Sequence, residues 1–218
     1  MTGLPKGRIL PRGHPGFAPV TRANCIAVNR GFLRNDMAIK IDLSIEEIKE
    51  AIECGRRRQA HDSRHIADQK VCDKSPLDIN INGAKAEKVV AKLTGYAWNA
   101  FSSRFWETPK HDRAADVGPL EVRTNNKLFR VNMLLFQKDG QQMRPHVLVI
   151  PISDSVYEIA GWRFGFECMQ QSFWQASWKR PCYAAPDVDL YGLRSLENWC
   201  ISSGHGAWKL TILKAKSR

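Results

Sequence analysis

Asp116, Glu121 and Arg123 are the residues of this chain best suited to chemistry, and they fall within one stretch, Asp116-Val-Gly-Pro-Leu-Glu-Val-Arg123. The stretch reads as an acid, a turn at Gly118-Pro119, and a short strand that carries a second acid and a cation. Successive side chains of a strand point to opposite faces. Glu121 and Arg123 therefore share one face, while Leu120 and Val122 enter the core. Two carboxylates and a cation converging at a strand edge suit one chemistry well, the holding of a divalent metal against a phosphodiester with activation of water. The same residues have plainer readings: Asp116 as a turn acid, and Glu121 with Arg123 as members of a cross-strand ion pair.

The elements that position these groups begin at Ser44-Ile-Glu-Glu47, a capping-box pattern with Ser at the N-cap and Glu three residues on. It predicts a helix with Ile45, Ile48 and Ile52 on its apolar stripe. Arg56, Arg57 and Arg58 follow near the end of that helix, where cations suit the dipole. They are either a solvated helix end or a phosphate clamp. Residues 76–83 interrupt the pattern, and residues 84–93 then predict a second helix closed by Gly95, with Ala86, Val89, Val90 and Leu93 as its buried stripe. Glu87 lies beside that stripe. It either faces solvent, the simpler reading, or is aimed into a site at the sheet edge.

Residues 96–115 predict a long loop of interleaved aromatics and cations. Such a mixture stacks bases and neutralises phosphates, or covers a small sheet. Trp98 and Phe101 read as cover; Arg104, Lys110 and Arg113 are candidate nucleic-acid contacts. After the acidic strand, residues 133–136, 146–150 and 156–160 predict strands joined as an antiparallel meander. A helical segment over about 164–174, a short strand at Tyr183-Ala-Ala-Pro186 and a helix over 190–199 complete the order. The expected architecture is α/β: a short mixed central sheet flanked by helices, with the acids on the sheet edge.

Composition bounds the partners. The chain has 218 residues with a formal net charge of +11 and a pI of about 9.6. An excess of that size favours a polyanion, most commonly nucleic acid. No run approaches the ~18–20 apolar residues of a membrane helix, and the N-terminal cations precede no apolar segment of the secretory kind. The six cysteines are scattered without a CxxC pair, as expected of reduced thiols in a cytoplasmic protein. Cys54, His61, His65 and Cys72 are symmetrically spaced, but they lack the usual knuckle of a zinc site and read as an exposed polar helix end. Residues 1–36 hold six Lys/Arg against one Asp, with Pro5, Pro11, Pro15 and Pro19. They predict an extended or disordered arm, either dispensable or able to track phosphate. Residues 37–198 predict a single domain, and 199–218 a basic tail. Neither a nucleophile elbow nor a phosphate-binding Walker loop occurs.

The order of Glu on a helix, then Asp, then Glu-x-Lys on a strand is the signature of the PD-(D/E)XK nuclease superfamily, and this chain resembles it through Glu87, Asp116 and Glu121-Val-Arg123. More narrowly it resembles small phage and prophage proteins of that type. The resemblance runs through Gly83-Ala-Lys-Ala-Glu87 to Leu93-Thr-Gly95, Asp116-Val-Gly118 with Val122-Arg123, Val147-Leu-Val149 with Gly161-Trp162, and Tyr183-Ala-Ala-Pro186 with Leu193-Arg194. It spans roughly residues 80–197. It implies a restriction-endonuclease-like core and metal-dependent hydrolysis of a phosphodiester, with DNA as the expected substrate and a homodimer as one arrangement that cuts both strands. Asp116, Glu121 and the main-chain carbonyl of Val122 would hold Mg²⁺ or Mn²⁺, and Glu87 would order the attacking water or a second metal. Magnesium keeps several waters and takes only one or two carboxylates, so a sparse acidic set suffices. Arg123 stands where the family usually has Lys. Arginine effectively cannot lose its proton, so it would orient the nucleophile and stabilise charge without acting as a base. The departure leaves two expectations: a nuclease that does not use this side chain as a base, or a nuclease-fold module that binds nucleic acid or a protein partner without cutting.

Overall fold

The computed structural model describes residues 38–62, 75–102, 108, 113–125, 132–135, 142–178 and 181–209. The arm over residues 1–36, Arg104, Lys110, His65, Cys72 and the chain beyond 209 lie outside them.

Strand β1 (Ile39–Asp42) leads into helix α1 (Ile45–Asp62). The capping box forms as the sequence predicts: the Ser44 N–H donates to Glu47 Oε2 at 2.7 Å, and the Glu47 N–H donates to Ser44 Oγ at 3.2 Å. The buried face of α1 is displaced from the expected isoleucine stripe. Ile45 is exposed, while Ala51, Cys54, Gly55 and Arg58 turn inward. Small residues win that face because α1 lies close on a second helix: a Cβ on Gly55 would fall 2.7 Å from the Ile81 Cα.

Helix α2 (Pro76–Thr94) is longer than its periodicity suggests. Ser75 caps it by accepting the Asp78 N–H at 3.1 Å, and Pro76 occupies the first turn, where its missing N–H costs nothing. The segment expected to break the helix thus begins it. Gly95, at φ 76°, closes it with its N–H on the Ala91 carbonyl at 2.8 Å.

Strands β2 (Glu121–Thr124), β4 (Pro145–Pro151) and β5 (Val156–Phe164) join β1 in a four-stranded mixed sheet ordered β1-β5-β4-β2. The β1–β5 and β4–β5 pairs are antiparallel, and β2–β4 is parallel. The acidic strand is therefore an edge strand. Strand β3 (Asn132–Leu135) does not join the expected meander. It pairs antiparallel with β7 (Cys182–Pro186), which also pairs with β6 (Trp174–Gln175), in a separate three-stranded sheet. Strand β5 runs past residue 160 because the register shifts between Leu148 and Val149 of β4, where Gly161 of β5 adopts φ 153°. The helix expected over 164–174 is consequently the single turn α3 (Gly165–Cys168). Helix α4 (Leu193–Ser202) follows β7.

The strand alternation sorts the core into two layers. Val122, Val147, Val149, Ile159 and Trp162 face Ala86, Val89, Val90 and Leu93 of α2. On the other side Leu148 and Ile150 meet Met133, Leu135 and Ala185 of the small sheet. The result is an α/β protein with a mixed four-stranded sheet, a small antiparallel sheet and four helices among the described residues. Trp199, Cys200 and Trp208 also enter the larger core, so the segment read as a tail contributes buried residues as far as 208. No helix among the described residues is long and apolar enough to cross a membrane. Cys54, Cys168, Cys182 and Cys200 are free thiols, all buried. Cys54 thus sits inside rather than on an exposed helix end.

Candidate active site

Asp116 is fixed from both sides. Its main-chain carbonyl accepts the Asn99 N–H at 3.0 Å and the Ala100 N–H at 3.4 Å, while Asn99 Nδ2 donates to the Ala115 carbonyl at 2.9 Å. Its side chain reaches forward, Oδ2 accepting the Val122 N–H at 2.9 Å. Between them the chain reverses tightly, with Val117 and Leu120 exchanging both main-chain hydrogen bonds at 3.0 and 2.8 Å. Gly118 makes this turn possible: its φ is 52°, and a Cβ there would meet Tyr96 Cβ at 2.8 Å.

Beyond the turn, Leu120 and Val122 enter the core as expected, and Glu121 and Arg123 share the opposite face. That face is also covered, and the Glu121 side chain is buried. Arg144, in the turn before β4, donates from Nη1 to Glu121 Oε1 at 2.7 Å and from Nη2 to the Arg113 carbonyl at 2.6 Å. Arg123 Nη1 stands 3.7 Å from Glu121 Oε2 and donates to the Val122 carbonyl at 3.2 Å. The expected ion pair therefore exists, but within one strand, and the stronger contact to Glu121 comes from a different residue. In the parallel β2–β4 register Glu121 lies opposite the buried His146.

Glu87 is buried on α2, contrary to the simpler expectation of a solvent-facing carboxylate. Both its oxygens are engaged. Arg58 of α1 donates from Nη1 to Oε1 at 2.8 Å and from Nη2 to Oε2, and Trp98 Nε1 donates to Oε2 at 2.8 Å. Arg58 is accordingly no part of a solvated cationic helix end. It is the one arginine of its triplet that turns inward. Arg56 and Arg57 stay exposed; Arg57 pairs with Glu53 at 3.0 Å and lies over the Phe101 ring. Trp98 and Phe101 stack with centroids 5.2 Å apart and pack on the core, as cover. Arg113 is half-buried, with Nε donating to the Thr108 carbonyl at 2.9 Å.

The electrostatics tie the three acids together. Burial, and then the charge of Glu121, push the Asp116 carboxyl up to about 6, against the pull of Arg123, the Val122 N–H and Arg58. Burial likewise raises Glu87, with Asp116 adding to the rise and Arg58 and Trp98 opposing it. Asp116 thus lies within electrostatic reach of both other acids.

Among the described residues no three His, Cys, Asp or Glu side chains are grouped so as to hold a metal together. Asp116 does lie within the electrostatic influence of Glu121. The charge of Glu121 raises the cost of ionising Asp116, and a divalent cation beside the two would relieve that cost. With the Val122 carbonyl beside them, the donor set is all oxygen, fitting a Mg²⁺ or Mn²⁺ that keeps most of its waters.

Comparison with family models, with curated proteins and with solved structures gives no match to this chain. The residues that local sequence reading misses are Arg144, Asn99 and the inward turn of Arg58. Each acts across a long loop or between elements, where no periodicity marks it.

Proposed function

We propose that this chain hydrolyses phosphodiester bonds in nucleic acid, most naturally DNA, in a metal-dependent reaction centred on Asp116 and Glu121, and that its mixed sheet is a restriction-endonuclease-like core. One observation carries the reading. Two carboxylates at the edge of a mixed sheet, spaced by a glycine turn, lie close enough for the second to raise the first. A carboxyl raised by burial and by a neighbouring acid is a candidate for a functional site. Glu87 on the preceding helix and Arg123 on the strand complete the pattern that the sequence resembles.

In this reading Asp116 and Glu121, with the Val122 carbonyl, hold Mg²⁺ or Mn²⁺. When bound, such a cation activates water and stabilises the charge that develops on phosphorus oxygens. The chain's own residues orient and neutralise. Arg123, partly exposed at the same edge, donates to a non-bridging phosphate oxygen and holds charge in the transition state. It accepts no proton. Glu87 holds Arg58 within electrostatic reach of Asp116, where its charge favours the ionised acid. Arg56, Arg57 and Arg113 supply further cationic contacts for the polyanion, and Arg104 and Lys110, outside the described residues, are candidates by sequence alone.

A second reading has its own support. The guanidinium groups of Arg58 and Arg144 already engage Glu87 and Glu121, as in a fold that keeps its acids for structure and binds nucleic acid or a protein without cutting. Incubating the protein with plasmid, linear and single-stranded DNA in Mg²⁺ or Mn²⁺, beside Asp116→Ala, separates the two. Cleavage lost in the variant supports the nuclease. Salt-sensitive binding that survives in the variant, without cleavage, supports the module.

A further inference from the structure

We infer that Arg144 is a positioning residue for the paired carboxylates, fixing how Glu121 meets a divalent cation. This rests on the reading of Asp116 and Glu121 as cation ligands. The guanidinium bridges two segments that carry the two acids. Nη1 grips Glu121 Oε1 at 2.7 Å at the start of β2, and Nη2 grips the Arg113 carbonyl at 2.6 Å, three residues before Asp116. Charge-assisted bonds of these lengths are strong, and the planar fork of arginine spans two acceptors at a fixed angle. A lysine, with one nitrogen on a flexible stem, does not reproduce that span.

The anchor is itself held. The Arg144 carbonyl accepts the Gly165 N–H at 3.1 Å, and Pro145 opens β4, the parallel neighbour of β2. Arg123 contributes less to Glu121, because its nearest nitrogen is 3.7 Å from Oε2, beyond hydrogen-bond length. Glu121 is thus pinned firmly by one oxygen and loosely at the other. Asp116 is pinned in the same way, Oδ2 lying on the Val122 N–H. Each acid has one oxygen committed to the protein, which is how outer partners orient ligating carboxylates. Exposure divides the pair: the Arg144 side chain is 31% exposed and that of Glu121 3%, so the arginine is the solvent-facing member.

The test is calorimetric titration of Mn²⁺ and of Mg²⁺ into the full-length wild type, Arg144→Lys, Arg144→Ala and Asp116→Asn, without nucleic acid. Loss of the brace is expected to weaken cation binding about 10- to 100-fold in both Arg144 variants. Added ethylguanidinium is expected to restore affinity to Arg144→Ala and to leave Asp116→Asn unable to bind. Arg144→Lys keeps the charge, and its unfolding midpoint in the absence of metal verifies that the fold is retained. Affinity unchanged or tightened in the Arg144 variants overturns the positioning role and leaves the cation site standing. Affinity that falls but does not respond to ethylguanidinium also overturns it, assigning the loss to the fold. A wild type that takes up neither cation, with variants that do no better, removes the underlying reading and the proposal with it.

Discussion

The Asp116 carboxylate accepts the N–H of Val122 at 2.9 Å, so the acid before the turn is tied to the strand after it. The N–H it grips belongs to the peptide that joins Glu121 to Val122, the residue before Arg123. One hydrogen bond therefore sets the spacing of two carboxylates and a guanidinium. The Gly118-Pro119 turn supplies the reversal, and Asn99 holds the other side of the Asp116 peptide. The acid is placed by the backbone around it, while its charge is left poorly compensated.

That poor compensation has a pH signature. The Asp116 pKa is raised from its ordinary value of 3.8 to about 6, so between those values the folded chain binds more protons than the unfolded one. Stability contributed by this group is then greatest at low pH and falls as pH rises through that window. In the absence of divalent cations, Asp116→Asn is expected to exceed the wild type in urea midpoint at pH ~7 and to lose that advantage by pH ~4. Mg²⁺ should narrow the difference at pH ~7 by stabilising only the wild type. Protons compete with the cation for Asp116, so cation affinity should weaken as pH falls through about 6.

Gly118→Ala attacks the geometry without touching a charge. The left-handed φ of 52° costs an alanine about 1–2 kcal/mol, and its Cβ would meet the Tyr96 side chain at 2.8 Å. The variant is expected to lower the urea midpoint and to reduce cation affinity together, because the turn spaces Asp116 from Glu121. Calorimetry on the folded fraction measures the second effect separately.

Local rules legible in the sequence formed what they describe. Ser44 and Glu47 form the capping box, Val89, Val90 and Leu93 face the sheet from α2, and Leu120 and Val122 alternate with Glu121 and Arg123. The failures share one physical cause, which is tertiary context. Pro76 reads as a breaker until Ser75 caps the helix ahead of it. Residues 133–136 read as the next strand of a meander, but the strand that forms, Asn132–Leu135, pairs with β7, some fifty residues on, in a second sheet. Gly161 reads as a strand end until a register shift carries the strand through it. Within the site, the acids were legible by type and spacing, whereas their partners were not. Arg58 looked like its neighbours Arg56 and Arg57, and Arg144 carried no local mark, because a guanidinium reaching across elements leaves no period in the chain.

The Arg58–Glu87 pair allows a direct energetic test. Both groups are buried, and Arg58→Met would strand a carboxylate in the core. Breaking such a pair from one side costs about 3–5 kcal/mol. Arg58→Met combined with Glu87→Gln, which keeps an acceptor for Trp98 Nε1, is expected to cost clearly less than Arg58→Met alone in equilibrium urea unfolding. Equal costs would mean that Glu87 draws little from its partner.

Arg123→Lys restores the residue usual at this position in the family that the chain resembles. If Arg123 serves only to orient and neutralise, the substitution is expected to leave cleavage within about tenfold of wild type, while Arg123→Ala lowers it by about 100-fold or more. A large gain in Arg123→Lys, growing with pH, would instead indicate that a titratable amine had been the missing part.

The central claim, that Asp116 and Glu121 hold a cation which cuts a phosphodiester, is tested most directly by cleavage of plasmid DNA in Mg²⁺ or Mn²⁺ by the wild type beside Asp116→Ala. The account predicts conversion of supercoiled to nicked or linear DNA by the wild type, abolished by chelator and lost in the variant. Intact plasmid in both, or equal cutting in both, would contradict it.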